Sequence, residues 1–176
     1  MRLFVAVVPD AAVTAAIDAL LPPALTGTGW RAVAPGRRHV TLRFLADADP
    51  AVTAAALRRD LAGAPAPRLR TTGAGVFGTA LWLGVRVADP AGWEALLRAV
   101  GTDPGEHVAH LTVARGRDGD VPETLAGHRG PAWAPGEVLL VASGTPYRVV
   151  DEFPLVGGGA RPGDGAGGDG TVGPPA

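Results

Sequence analysis

The chain has 176 residues, 47% of them apolar, and a formal net charge of −1. That is enough for one domain with a sizeable core, and it lacks the broad basic surface that grips duplex nucleic acid. With no cysteine, disulfides, thiolate metal sites and a cysteine nucleophile are excluded, which suits a cytoplasmic protein.

The opening "RLFVAVV" reads as a strand, since no small-residue cleavage site follows it as in a signal peptide. Asp10 can cap a helix through "AAVTAAIDALL", with Pro22 and Pro23 as its stop. "RHVTLRFLA" is a strand. A helix follows with Asp49 as cap, Pro50 in its first turn and Gly63 beyond its end. "PRLRTTGAGVF" and "ALWLGVRV" form a hairpin, and Asp89 starts a third helix. "HVAHLTVARG" is a strand, "VPETLAGH" a short helix, and "EVLLVAS" and "YRVVDEFPL" close the domain as strands. The order implies an α+β fold with mostly antiparallel pairing. The domain spans residues 1–156. Residues 157–176 are nearly all Gly, Pro, Ala and Asp and read as a flexible tail. No apolar run reaches the length of a membrane span, about eighteen residues.

Two of the four histidines stand in one setting, "HVTLRFL" from His39 and "HLTVARG" from His110. Alternation along a strand puts His39 with Thr41, and His110 with Thr112, on the face opposite the apolar residues. Two such strands facing each other line a cleft with two imidazoles and two hydroxyls. That set suits phosphoryl chemistry without a metal. One imidazole takes a proton, the other gives one, and hydroxyls with an arginine hold the charged oxygens. A structural role for both histidines is the alternative. A zinc site would need a third ligand, from Glu106 or a distant Asp. By the same alternation Arg43 lies on the His39 face, where it meets phosphate or solvent. Phe77, at a turn, is a candidate to stack on a base. "GAGVFG" fits a dinucleotide-binding glycine pattern, but a strand follows where a helix is needed. His107 and His128 receive no catalytic role, His128 being placed at a helix end that favours a cation. Trp30, Trp82, Trp93 and Trp133 are assigned to packing.

The paired H-x-T-hydrophobic motif resembles the signature of the 2H phosphoesterases. Within them the chain is similar to the RNA 2′,3′-cyclic phosphodiesterases, also known as 2′-5′ RNA ligase-like proteins. The resemblance covers residues 2–155 and rests on "RLFVAVVPD", "RRHVTLRFLAD", "GVFGTALWLGV" and "HLTVARG". Asp47 stands where that family usually has glycine, and Ala109 where it often has proline. The resemblance implies two pseudo-symmetric lobes, with two sheets facing a central cleft and helices outside. It implies hydrolysis of 2′,3′-cyclic phosphate ends to 2′-phosphomonoesters, with His39 and His110 catalytic and Thr41, Thr112 and Arg115 on the phosphate. In that family's geometry His110 activates water and His39 protonates O3′. Simple alternation puts Arg115 on the wrong face, so a twist near Gly116 is required. RNA ends or small cyclic nucleotides are the expected substrates, with no cofactor, metal, membrane or obligate protein partner, and a monomer is expected. The alternatives are a 2′-5′ ligase, an ADP-ribose cyclic phosphate phosphodiesterase, and a non-catalytic nucleotide-binding module.

Overall fold

The computed structural model describes residues 1–116 and 119–159. In chain order the strands are β1 (Leu3–Val7), β2 (Arg31–Ala32), β3 (Val40–Leu45), β4 (Leu69–Phe77), β5 (Ala80–Val87), β6 (His110–Arg115), β7 (Arg129–Trp133), β8 (Glu137–Ala142) and β9 (Arg148–Pro154). The helices are α1 (Ala11–Leu25), α2 (Pro50–Asp60), α3 (Pro90–Ala99) and α4 (Glu123–Ala126). The fold is α+β, as the sequence pattern implies.

The strands run β7-β4-β5-β6-β3-β1-β8-β9, with β2 added beside β6. The halves are mirror-like in order: β6-β5-β4-β7 on one side and β3-β1-β8-β9 on the other. The predicted two sheets are therefore present as halves, but hydrogen bonding makes them continuous. Val40 of β3 faces Leu111 of β6, and that is the only register pair between these two strands. The motif strands thus stand at the inner borders of the halves rather than at the centre of each. Joining them satisfies backbone groups that two free inner edges would leave unpaired.

Both faces of the sheet are used, for different ends. On one face Leu3, Val5, Val7, Val40, Leu83 and Leu111 pack with Ile17 and Leu21 of α1, Leu57 of α2 and Leu96 and Leu97 of α3 in one core. On the other face Phe4, Ala6, Leu139 and Val141 make a small separate cluster, with Tyr147 against it. The site lies on this second face.

Two expectations need correction. Pro22 and Pro23 do not stop α1, which runs on to Leu25. Leu21 and Ala24 are buried on either side of them, and the Thr26 hydroxyl donates to the Pro22 carbonyl at 2.8 Å. Anchoring of the last turn outweighs the two missing amide donors. The strand β7 was not legible, because "RGPAW" carries Gly130 and Pro131. It is an edge strand, where a proline costs no shared ladder bond. The predicted flexible tail lies outside the described residues from 160 onward. Before that, the Gly159 amide donates to the Ala134 carbonyl at 2.8 Å.

Helix caps differ in a way that stability measurements can read. The Asp10 carboxylate accepts from the Val13 amide at 2.9 Å, and Asp49 accepts from Val52 at 2.9 Å. Asp89 holds the same position at α3, but its side chain makes no capping bond. Asp10→Ala is expected to cost about 0.5–2 kcal/mol, as cap removal generally does. Asp89→Ala should cost clearly less. Urea unfolding midpoints at unchanged m-value check this, and equal losses for the two variants would contradict it.

Candidate active site

Each motif strand is entered from a short turn that begins Pro-Gly: Pro35–Arg37 before His39 and Pro104–Glu106 before His110. Each histidine ring then folds back on the chain that precedes it. His39 Nδ1 lies 2.9 Å from the Arg37 carbonyl, and His110 Nδ1 lies 2.8 Å from the Val108 carbonyl. A carbonyl can only accept, so in both rings Nδ1 carries the hydrogen. That leaves both Nε2 atoms chemically able to accept or give a proton. Neither motif threonine hydroxyl has a protein hydrogen-bond partner among the described residues.

A bulge then interrupts each motif strand at the same place. In β3 the pairing with β1 runs Ala6 opposite Thr41 and Val5 opposite Arg43, which leaves Leu42 as the extra residue. In β6 the pairing with β5 runs Trp82 opposite Thr112 and Leu81 opposite Ala114, which leaves Val113 extra. Directly opposed residues share a face, so each bulge reverses the alternation beyond it. Arg115 is paired with Ala80 and returns to the face of His110 and Thr112. The twist required by the sequence reading is this bulge, two residues before Arg115 rather than at Gly116. Arg43 moves the other way. It shares the core face with Val5, and its guanidinium donates to the Val100 carbonyl at 2.9 Å. Its expected place on the His39 face is therefore corrected. The ring that takes the cleft face instead is Phe44, 76% exposed and 6.3 Å from Phe4.

Aromatic rings back both histidines. Phe4 stacks on His39 with centroids 4.7 Å apart, and Tyr147 meets it edge-on at 5.7 Å. On the other half Phe77 lies 5.3 Å from His110 and 4.9 Å from Trp82. Burial pushes the His39 pKa below its ordinary value. The Arg37 carbonyl works against that shift, and the positive charges of His110, Arg37 and Arg115 add to it. Two cavities flank the pair. One, of about 520 Å³, includes Thr41, Phe44, His107 and His110 in its lining; the other, of about 290 Å³, includes Arg37, Thr112, Arg115 and Tyr147.

The model of the family described as LigT like phosphoesterase matches residues 7–86, from the end of β1 to the end of the central hairpin. The fold of that family extends over nearly all of the rest. A Thermus thermophilus protein, TT0787, is 27% identical with a TM-score of 0.62, over 88% of this chain and 98% of its own. Escherichia coli LigT, in its structure with NADP+, is 25% identical with a TM-score of 0.68, over 88% and 97%. The chain is similar to the LigT-like phosphoesterases in sequence over residues 7–86 and shares the fold of E. coli LigT. The MHV ns2 PDE domain shares the fold at 16% identity and a TM-score of 0.55, over 74% of this chain and 90% of that one. No curated protein matches the sequence.

The structure brings His39, Thr41, His110, Thr112, Arg115 and Phe77 to one face; Arg43 leaves that face but still lines the larger cavity with Thr41 and His110. Trp30, Trp93 and Trp133 are buried, as expected of packing residues. Trp82 is not one of them: it stands on the cleft face, opposite Thr112 and beside His110. His128 does not serve as a helix-end cation. Its Nε2 lies 2.9 Å from the Thr71 hydroxyl, and burial pushes its pKa down. His107 ties the two motif segments together, its Nε2–H donating to the Thr41 carbonyl at 2.8 Å. Phe4, Phe44 and Tyr147 were missed as site residues. "LFVAV" is apolar throughout and does not reveal which face Phe4 takes, and Tyr147 joins the site only through tertiary packing. Among the described residues no three metal-ligating side chains cluster, and no helix is long and apolar enough to cross a membrane.

Proposed function

We propose that this protein hydrolyses RNA 2′,3′-cyclic phosphate ends to 2′-phosphomonoesters without a metal. The observation that carries the reading is the matched pair of imidazoles, each pinned through Nδ1 to a carbonyl so that Nε2 is left to accept or give a proton. His110 takes a proton from water, which attacks phosphorus. The P–O3′ bond breaks, and His39 gives its Nε2 proton to O3′. The Thr41 and Thr112 hydroxyls and the Arg115 guanidinium donate to the non-bridging oxygens, where charge builds. Phe77 offers a face to the base. E. coli LigT has been solved with phosphate and with 3′-AMP, which supports a nucleotide phosphate as the ligand of such a cleft.

Incubation of RNA ending in a 2′,3′-cyclic phosphate, in excess EDTA, tests the reaction. The product should be a 2′-phosphomonoester at an undiminished rate. No turnover, or turnover only with added metal, rejects the mechanism. A 3′-phosphate product reverses the leaving group. Faster turnover of ADP-ribose cyclic phosphate, or joining of RNA ends through a 2′-5′ bond, would move the substrate assignment. Tight binding without any turnover would make the chain a nucleotide-binding module.

A further inference from the structure

We propose that the cavity beside Thr112 is a second anion subsite, which takes the phosphate on the 5′ side of the nucleoside whose cyclic phosphate lies at the histidines. This rests on the reaction proposed above and adds a determinant of substrate choice to it. The cavity is lined by Arg31, Arg37 and Arg115, with Thr112 and Tyr147, and among the described residues no carboxylate lines it. Its charges are arranged at a cost to the fold. Arg31 of β2 stands directly opposite Arg115 of β6, and like charges so placed repel. Four arginines elsewhere are paired with carboxylates: Arg38 with Asp18, Arg58 with Asp151, Arg59 with Asp60 and Arg98 with Glu94. Among the described residues none of the three cavity arginines has such a partner. Arg37 is instead held over the Tyr147 ring, 4.6 Å from its centroid.

The scissile phosphodiester carries a single negative charge, and Arg115 on the motif face is enough to meet it. Arg31 and Arg37 are then surplus, and they point to a further anion of the same ligand. Thr112 lines the cavity and also belongs to the histidine motif, so the second anion lies next to the first. In an RNA end the neighbouring phosphate is the one esterified to O5′ of the same ribose. The chemistry is the same for a free 5′-phosphate and for an internal phosphodiester.

The test is calorimetric and needs no turnover. Adenosine 2′-phosphate, adenosine 2′,5′-bisphosphate and a 2′-phosphorylated adenylyl dinucleotide are titrated into the protein. A 5′ phosphate should tighten binding about tenfold or more at low salt, an advantage that shrinks as salt screens the charges. In the Arg31→Gln/Arg37→Gln double variant the bisphosphate and monophosphate should bind within about twofold of each other. Arg98→Gln, on the exposed face of α3, should keep the full advantage. A gain shown by the bisphosphate alone assigns the subsite to terminal 5′-phosphates; a gain shared by the dinucleotide assigns it to the RNA chain. Equal affinities in the unaltered protein, or an advantage that survives in the double variant, overturn the proposal. Failure to hydrolyse cyclic phosphate ends would reject the reaction and leave these affinities to decide the subsite.

Discussion

His39→Ala and His110→Ala should each lower kcat by about 10²–10⁴-fold, and the double variant should fall far less than the product of the two. In the proposed reaction both Nε2 atoms act at one phosphate, so neither can do its part without the other. A p-nitrophenyl phosphodiester separates the roles, because its phenolate leaves without a proton. It should restore His39→Ala and leave His110→Ala inactive. The opposite pattern exchanges the roles, and rescue of neither removes general acid catalysis from both. The pH profile should be a bell whose two apparent pKa values belong to the pair. Burial and the surrounding positive charge hold the His39 pKa below its ordinary value, so the limb of kcat/KM, the free-enzyme profile, to which His39 contributes should be drawn to lower pH. A bound phosphate anion favours the imidazolium, which moves the corresponding limb of kcat to higher pH. Coincident limbs in kcat and kcat/KM would contradict that electrostatic account.

Arg115→Gln should cost about 10²–10³-fold in kcat, the usual effect of losing one donor to developing oxyanion charge. Arg115→Lys should not restore it fully, since an ammonium lacks the planar fork that grips two phosphate oxygens. A second measurement is independent of activity. The Arg115 charge helps to hold the His39 pKa down. Its removal should move the His39 ring titration, followed by NMR, upward. An unchanged kcat together with an unchanged His39 titration would make Arg115 a surface residue with no part in the site.

The strands and helices that position the site were legible because their signals are local. Asp10 and Asp49 bond the amides expected of caps, and His39 with Thr41 and His110 with Thr112 follow from alternation alone. What was not legible depends on one strand's pairing with another. Nothing in "HVTLRF" marks Leu42 as a bulge, because the extra residue is defined by Ala6 and Val5 on the neighbouring strand. Arg43 and Phe44 were therefore assigned to each other's faces. For Arg115 the family resemblance named the residue before the geometry could explain it. The short strand Arg31–Ala32 is too brief to carry any period, yet it places a guanidinium opposite Arg115.

The paired bulges also bear on which changes such a sequence can tolerate over time. Replacing Leu42 or Val113 by another apolar residue alters packing and is graded in its effect. Removing either residue leaves the faces as they are. Without Val113 simple alternation still puts Ala114 in the core and Arg115 beside Thr112, and without Leu42 it still puts Arg43 in the core and Phe44 on the cleft side. What would exchange chemistry for core is a bulge ironed out at unchanged length, which turns Arg115 toward the helices and brings Ala114, now fully buried, to the substrate side. Natural variation here should therefore include loss of the extra residue as well as its replacement.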